Sequence, residues 1–135
     1  MNALAEENLF SCPAGTIVAA PGPLYEHVGL LTGHYLVGQR TVYSFSRAAG
    51  GFVEQVISQF APNGSVVVKG YPSILPPELV LQRAQSWRGL PYLLWERNCE
   101  HFVNFAHGLE VRSRQVMQWG ALAALVVGTL ALARM

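Results

Sequence analysis

Aspartate is absent: the 135-residue sequence carries eight acidic side chains, and every one is glutamate. That excludes a Ser-His-Asp triad, a metal site built on Asp, and an EF-hand loop, whose first ligand positions need Asp. Charge of either sign is scarce, at 13% of residues, about half the usual share for a soluble globule. With a formal net charge of +1 there is no broad basic field, and nucleic acid is not an expected partner. Two cysteines, Cys12 and Cys99, are too few for a disulfide framework in so small a chain. They are read as reduced thiols with unequal roles. The first nine residues hold Glu6 and Glu7 and no apolar core, so no secretory signal is read there.

What is plentiful is apolar surface, 51% of the residues, and it is concentrated. Val116 to Ala133 reads VMQWGALAALVVGTLALA without a charge, flanked by Arg112 and Arg114 before and Arg134 after. A helix from Arg114 to Arg134 would be roughly 30 Å long at about 1.5 Å per residue, the thickness of a hydrocarbon core. Gly120, Ala124 and Gly128 form a small-residue stripe suited to close packing in lipid. The rival is a buried, Ala- and Leu-rich core helix, but no polar face interrupts the run. The division expected is therefore a domain over residues 1–113 and a membrane-anchor helix over 114–135. Arg112 and Arg114 would keep the domain on the cytoplasmic side of a single-pass tail anchor.

Ahead of that run the pattern is strands first and helices after, which argues for α+β rather than alternating α/β. Thr16-Ile17-Val18 reads as a short strand after the Pro13-Ala14-Gly15 turn. Tyr25 to Leu31 reads as a second, with His27, Gly29 and Leu31 on one face and Val28 and Leu30 on the other. Gly33 is expected to turn the chain before a third strand over Thr41 to Ser46. Gly50-Gly51 precedes a fourth over Phe52 to Ile57, and Asn63-Gly64 has the form of a hairpin turn leading to Ser65–Lys69. A helix is expected from Pro77 to Gly89, burying Val80, Leu81, Ala84 and Trp87, and another from an Asn98 cap to about Gly108.

The segment richest in chemistry is Asn98-Cys99-Glu100-His101-Phe102. With Asn98 as cap, Cys99 is the first helical residue, where unpaired N–H groups and the helix dipole favour a thiolate and an oxyanion alike. Its base must come from elsewhere. His101 is about 200° around the helix, and His107 lies two turns up, about 12 Å away. His27, on a strand that packs against the helix, is the natural partner. The structural alternatives are a buried core cysteine and a hydrogen-bonded strand histidine. Cys12, Cys99, His101 and His107 lack paired metal-ligand spacing, and neither a metal nor a cofactor is expected.

NCEHF, followed by Gly108, Ser113 and Gln115-Val116, resembles the cysteine box of the lecithin:retinol acyltransferase family and its H-Ras-like suppressor branch. Tyr25-Glu26-His27 with Gly29 resembles that family's histidine box, and Ala84, Gly89 and Tyr92 fit the helix and linker ahead of the cysteine. The resemblance implies a circularly permuted papain-like (NlpC-type) α+β domain with a C-terminal apolar, transmembrane helix. It implies Cys99 as the nucleophile that takes up an acyl group as a thioester, and His27 as its base. Known members carry a second His where this chain has Ser44, after Val42-Tyr43. Ser44 is then the orienting third residue, with His34 the alternative if the 33–39 loop folds back. The function expected is a thiol acyltransferase or phospholipase-type hydrolase acting on a phospholipid or other acyl lipid at a membrane surface. A cysteine peptidase or amidase of the same class, and a non-catalytic membrane-associated binding module, are the alternatives.

Overall fold

A computed structural model describes residues 9–22 and 25–109 of the chain. Five strands, β1 (Ile17–Ala20), β2 (His27–Leu36), β3 (Gln39–Ser46), β4 (Gly51–Val56) and β5 (Val67–Gly70), form one antiparallel sheet in the order β4-β3-β2-β1-β5. A single helical turn, α1 (Ile57–Phe60), follows β4, and two helices, α2 (Pro77–Gln85) and α3 (Cys99–Ala106), close the described chain. The architecture is α+β. The apolar run expected to form a membrane anchor, and the boundary at residue 113, lie outside the described residues. Among the described residues no helix is long and apolar enough to cross a membrane.

Two expectations about turns are corrected. Gly33 does not turn the chain: β2 runs through it to Leu36. Between the pairs Leu31↔Val42 and Tyr35↔Arg40 the strand β2 holds two residues more than β3, so Gly33 marks a bulge. Thr32 fills it, its hydroxyl bonded to that of Thr41 at 2.6 Å and accepting the His34 N–H at 2.9 Å. The turn comes four residues later at Val37-Gly38, both at positive φ (52° and 73°) as a two-residue hairpin with the twist of the sheet requires. Valine is an unusual choice there, and its side chain is 96% exposed. Asn63-Gly64, in turn, does not make a hairpin. The helical turn α1 replaces the expected end of the fourth strand, and β5 pairs with β1 at the opposite edge.

The sheet is covered on both faces, which is why six consecutive residues of β3 are buried. On one face α2 and α3 pack Val80, Ala84, Trp87, Phe102, Val103 and Ala106 against Ile17, Leu30, Tyr43 and Phe45. Phe45 is the centre of that layer: its ring meets Trp87 at 5.0 Å, and Tyr92 and Phe102 at 5.8 Å each. Truncating such a fully buried ring costs about 3–5 kcal/mol. On the other face Val18, Ala20, Leu31 and Val42 meet Leu9, Ile57, Phe60 and Ala61. Of the four residues expected on the inner side of α2, Val80, Ala84 and Trp87 are buried and Leu81 packs at the margin. Pro77 and Glu78 occupy its first turn, where a missing N–H costs nothing and a negative charge meets the helix dipole. Arg83 ties α2 to α3 by donating to the Phe105 carbonyl at 3.0 Å while lying 4.5 Å over the Phe105 ring.

Candidate active site

Asn98 is the cap of α3, as its residue type requires. Its Oδ1 accepts the His101 N–H at 2.9 Å, and its Nδ2 donates to the Leu94 carbonyl at 2.8 Å. Cys99 is thereby fixed as the first residue of α3, with its side chain only 7% exposed. The Val28 N–H of β2 points at the sulfur, as do the N–H groups of Cys99 and Glu100 at the helix start, and all three favour the thiolate. Burial opposes them and is larger, and the Glu100 carboxylate adds to it, so the thiol titrates above its ordinary range. The expected lowering by the helix N-terminus is corrected to that extent. A helix end offers partial charges, and with no cation against the sulfur they do not offset the loss of water.

The register of the sheet decides where His27 points. His27 pairs with Ala20, and its neighbour Val28 pairs with Ala19. Ala20 belongs to the face covered by Phe60, whereas Val28 packs on the face covered by α3. Successive strand residues alternate between faces, so the imidazole leaves β2 on the side opposite α3. There it packs against Phe60, the rings tilted by 35° with centroids 5.1 Å apart. It lines a cleft of about 320 Å³ with Tyr25, Pro21 and Pro62. Burial alone shifts its titration, downward, so it is a neutral base at pH 7. The sulfur of Cys99 thus lies one residue away along the backbone, but no hydrogen bond joins it to the imidazole. The expected contact is not closed in this conformation.

Ser44 lies opposite Gly29 in the β2–β3 ladder, on the same face as His27 and diagonal to it. It is fully buried and its hydroxyl has no hydrogen-bond partner. Phe60 covers this spot: a Cβ on Gly29 would come within 3.1 Å of its ring and 2.8 Å of the Tyr43 carbonyl. His34, the alternative third residue, is seven positions along β2 from His27, roughly 20 Å at the rise of a strand. Its Nδ1 is engaged by Glu54 at 3.1 Å on the exposed bulge. The structure therefore groups Ser44 with His27 and separates His34 from both.

Other side chains near the thiol escaped the sequence reading. The Tyr92 phenol is close enough to Cys99 and Tyr25 for their charges to raise its titration, after burial, while Arg47 acts in the other direction. The family resemblance assigns Tyr92 only to the linker ahead of the cysteine. Its stacking on Phe45 follows from β3 register and could not be read locally. His101 is buried with the Glu96 backbone beside its ring, and His107 is buried between the Ser73 hydroxyl (2.6 Å) and the Gly15 carbonyl (2.7 Å). His107 is thus a structural clamp between α3 and the start of the fold. Neither Cys12 nor Cys99 is in a disulfide. Among the described residues no three His, Cys or Glu side chains converge as metal ligands. A second cavity, of about 440 Å³ and lined by Phe10, Tyr35, Arg40 and Ile57, contains none of Cys99, His27 and Ser44. The larger cavity is therefore not where the thiol lies.

A family model described as Lecithin retinol acyltransferase matches residues 11–109, close to three quarters of the chain. No curated protein matches it.

Proposed function

The chain belongs to the lecithin retinol acyltransferase family, and from that premise we propose that it is a cysteine-dependent acyltransferase or phospholipase-type hydrolase. The domain would be the circularly permuted papain-like (NlpC-type) form of α+β fold. Cys99 attacks the carbonyl of an acyl lipid, the alcohol departs, and the acyl thioester passes to water or an amine. The observation that carries this reading is the Cys99 sulfur at the first turn of α3, one backbone step from His27 and facing three N–H donors. In this reading the N–H groups at the start of α3 would also receive the oxyanion that forms as the thiolate adds.

A neutral thiol and a neutral imidazole are the resting pair, so proton transfer must accompany attack. His27 is the first residue of β2 and is held there by its single pairing with Ala20. Releasing that one pair and the Phe60 ring lets the imidazole pass around the strand end to the sulfur. Ser44, whose hydroxyl is unspent, is then the group that can orient the ring from β3. The residues 114–134 act in this proposal as a tail anchor, with the domain on the cytoplasmic side and lipid substrate held at high local concentration.

Intact mass after incubation with phospholipid or a p-nitrophenyl ester tests the chemistry: one acyl group should appear on Cys99 and none on a Cys99→Ala protein. An unmodified Cys99 under both conditions refutes it. It would favour instead the non-catalytic binding module, which the separation of His27 from Cys99 supports. A peptide or amide substrate acylating Cys99 where both esters fail would move the assignment to a peptidase or amidase.

A further inference from the structure

The chain just before Cys99 is apolar and outward-facing. Leu93, Leu94 and Trp95 are 38%, 53% and 52% exposed. They do not belong to a loose loop. The Leu93 N–H donates to the Arg97 carbonyl at 2.9 Å, the Arg97 N–H returns to the Leu93 carbonyl at 2.7 Å, and the Glu96 N–H also reaches Leu93 at 3.2 Å. At the tip the Leu94 carbonyl is taken by Nδ2 of Asn98, the residue that caps the helix of Cys99. At the other end the Tyr92 N–H holds the Gly50 carbonyl at 2.9 Å. The turn is thus closed by the paired backbone groups of Leu93 and Arg97, with the Leu94 carbonyl also taken, and is fastened to the candidate nucleophile's helix.

Those properties are what entry into a bilayer interface asks of a protein segment. Unpaired N–H and C=O groups are costly away from water, and here the ladder pair and the tip carbonyl are paired internally. Tryptophan with aliphatic neighbours is suited to the boundary between headgroups and acyl chains. The nearby charges balance: Arg97 and Arg47 stand against Glu96 and Glu100, so an anionic surface has no net cation to attract it. On the basis of the acyl-lipid reading above, we propose that the Leu93–Arg97 turn inserts Leu94 and Trp95 into a zwitterionic phospholipid surface. It would seat the Cys99 mouth on the bilayer, independently of the C-terminal run.

Full-length Trp119→Phe protein, reconstituted in phosphatidylcholine vesicles with brominated acyl chains, reads this directly, because Trp87 is buried and Trp95 becomes the reporter. Trp95 emission should be quenched, equally at low and high salt, and the loss should vanish in Trp119→Phe/Trp95→Phe. Leu94→Ser should lower turnover of vesicle lipid relative to a short soluble ester by about tenfold, the ratio for losing roughly half a leucine of buried apolar area. Three outcomes overturn the proposal: Trp95 unquenched, quenching confined to anionic vesicles and abolished by salt, or Trp95 shielded by self-association in detergent without lipid. The two readings fail separately. Quenching without an acyl adduct on Cys99 leaves docking and removes the enzyme, and an adduct without quenching does the reverse.

Discussion

Asn98→Ala perturbs the one side chain that fixes both the start of α3 and the turn before it. Its Oδ1 and Nδ2 each make a good hydrogen bond, at 2.9 and 2.8 Å. An N-cap alone contributes about 0.5–2 kcal/mol, and a second bond, to the Leu94 carbonyl, adds about 1 kcal/mol. Asn98 is 8% exposed, so water does not readily replace either partner, and a total of about 2 kcal/mol follows. For a chain of this size that lowers the melting temperature by about 8 °C. Asn98→Asp separates the two contributions. It keeps the cap acceptor, loses the donor to Leu94, and should fall about half as far. Its added negative charge beside the sulfur should also push the Cys99 thiol further up. Melting followed by far-ultraviolet circular dichroism, with iodoacetamide alkylation of Cys99 across pH on the same samples, measures both. An Asn98→Ala protein that melts with the wild type, or an Asp variant no better than Ala, refutes the reasoning.

Alkylation of Cys99 in the native protein should rise with pH later than that of an ordinary thiol, because burial favours its neutral form. Between the ordinary and the native values the unfolded chain has already lost that proton, so Cys99 lowers stability as pH rises through that window. The opposite limb comes from His27, His101 and His107, all shifted downward by burial. The unfolded chain takes up those protons first as pH falls below about 6.5, so stability should drop from there toward the native values; a flat melting profile between pH 7 and 5 contradicts it. Ser44→Ala should leave stability unchanged or slightly higher, since the buried hydroxyl has no partner to lose. Its acyl transfer should fall about tenfold or less, while Cys99→Ala should form no adduct; equal losses in the two would remove the minor role given to Ser44. Full-length protein should remain with membranes through high-salt and alkaline carbonate washes, and its release by either wash would remove the anchor.

Residues 77 to 108 were legible because their signals are local. A proline at the first helical turn and an asparagine cap fix the conformation of their own few residues, and both helices start where those residues put them, although α2 ends at Gln85, four residues short of the expected stop at Gly89. The faces of β2 were legible too, since alternation needs no knowledge of neighbours. Pairing was not. Asn63-Gly64 has the chemistry of a hairpin, yet whether β5 adds to β4 or crosses to β1 depends on which sheet edge α1 leaves open. Gly33 looked like a turn because a glycine marks a turn and a bulge alike, and only the register against β3 tells them apart. The same division runs through the candidate site. The sequence named Cys99, His27 and Ser44 by type, order and family resemblance. Their mutual placement rests on non-local facts: α3 covers the Val28 face, Phe60 arrives on the other, and His27 belongs to the Phe60 side. Likewise a helix N-terminus promised a more acidic thiol, but the sign was set by how much water the fold removes from the sulfur. Desolvation is a property of everything packed around a group, and no neighbouring residue in sequence encodes it.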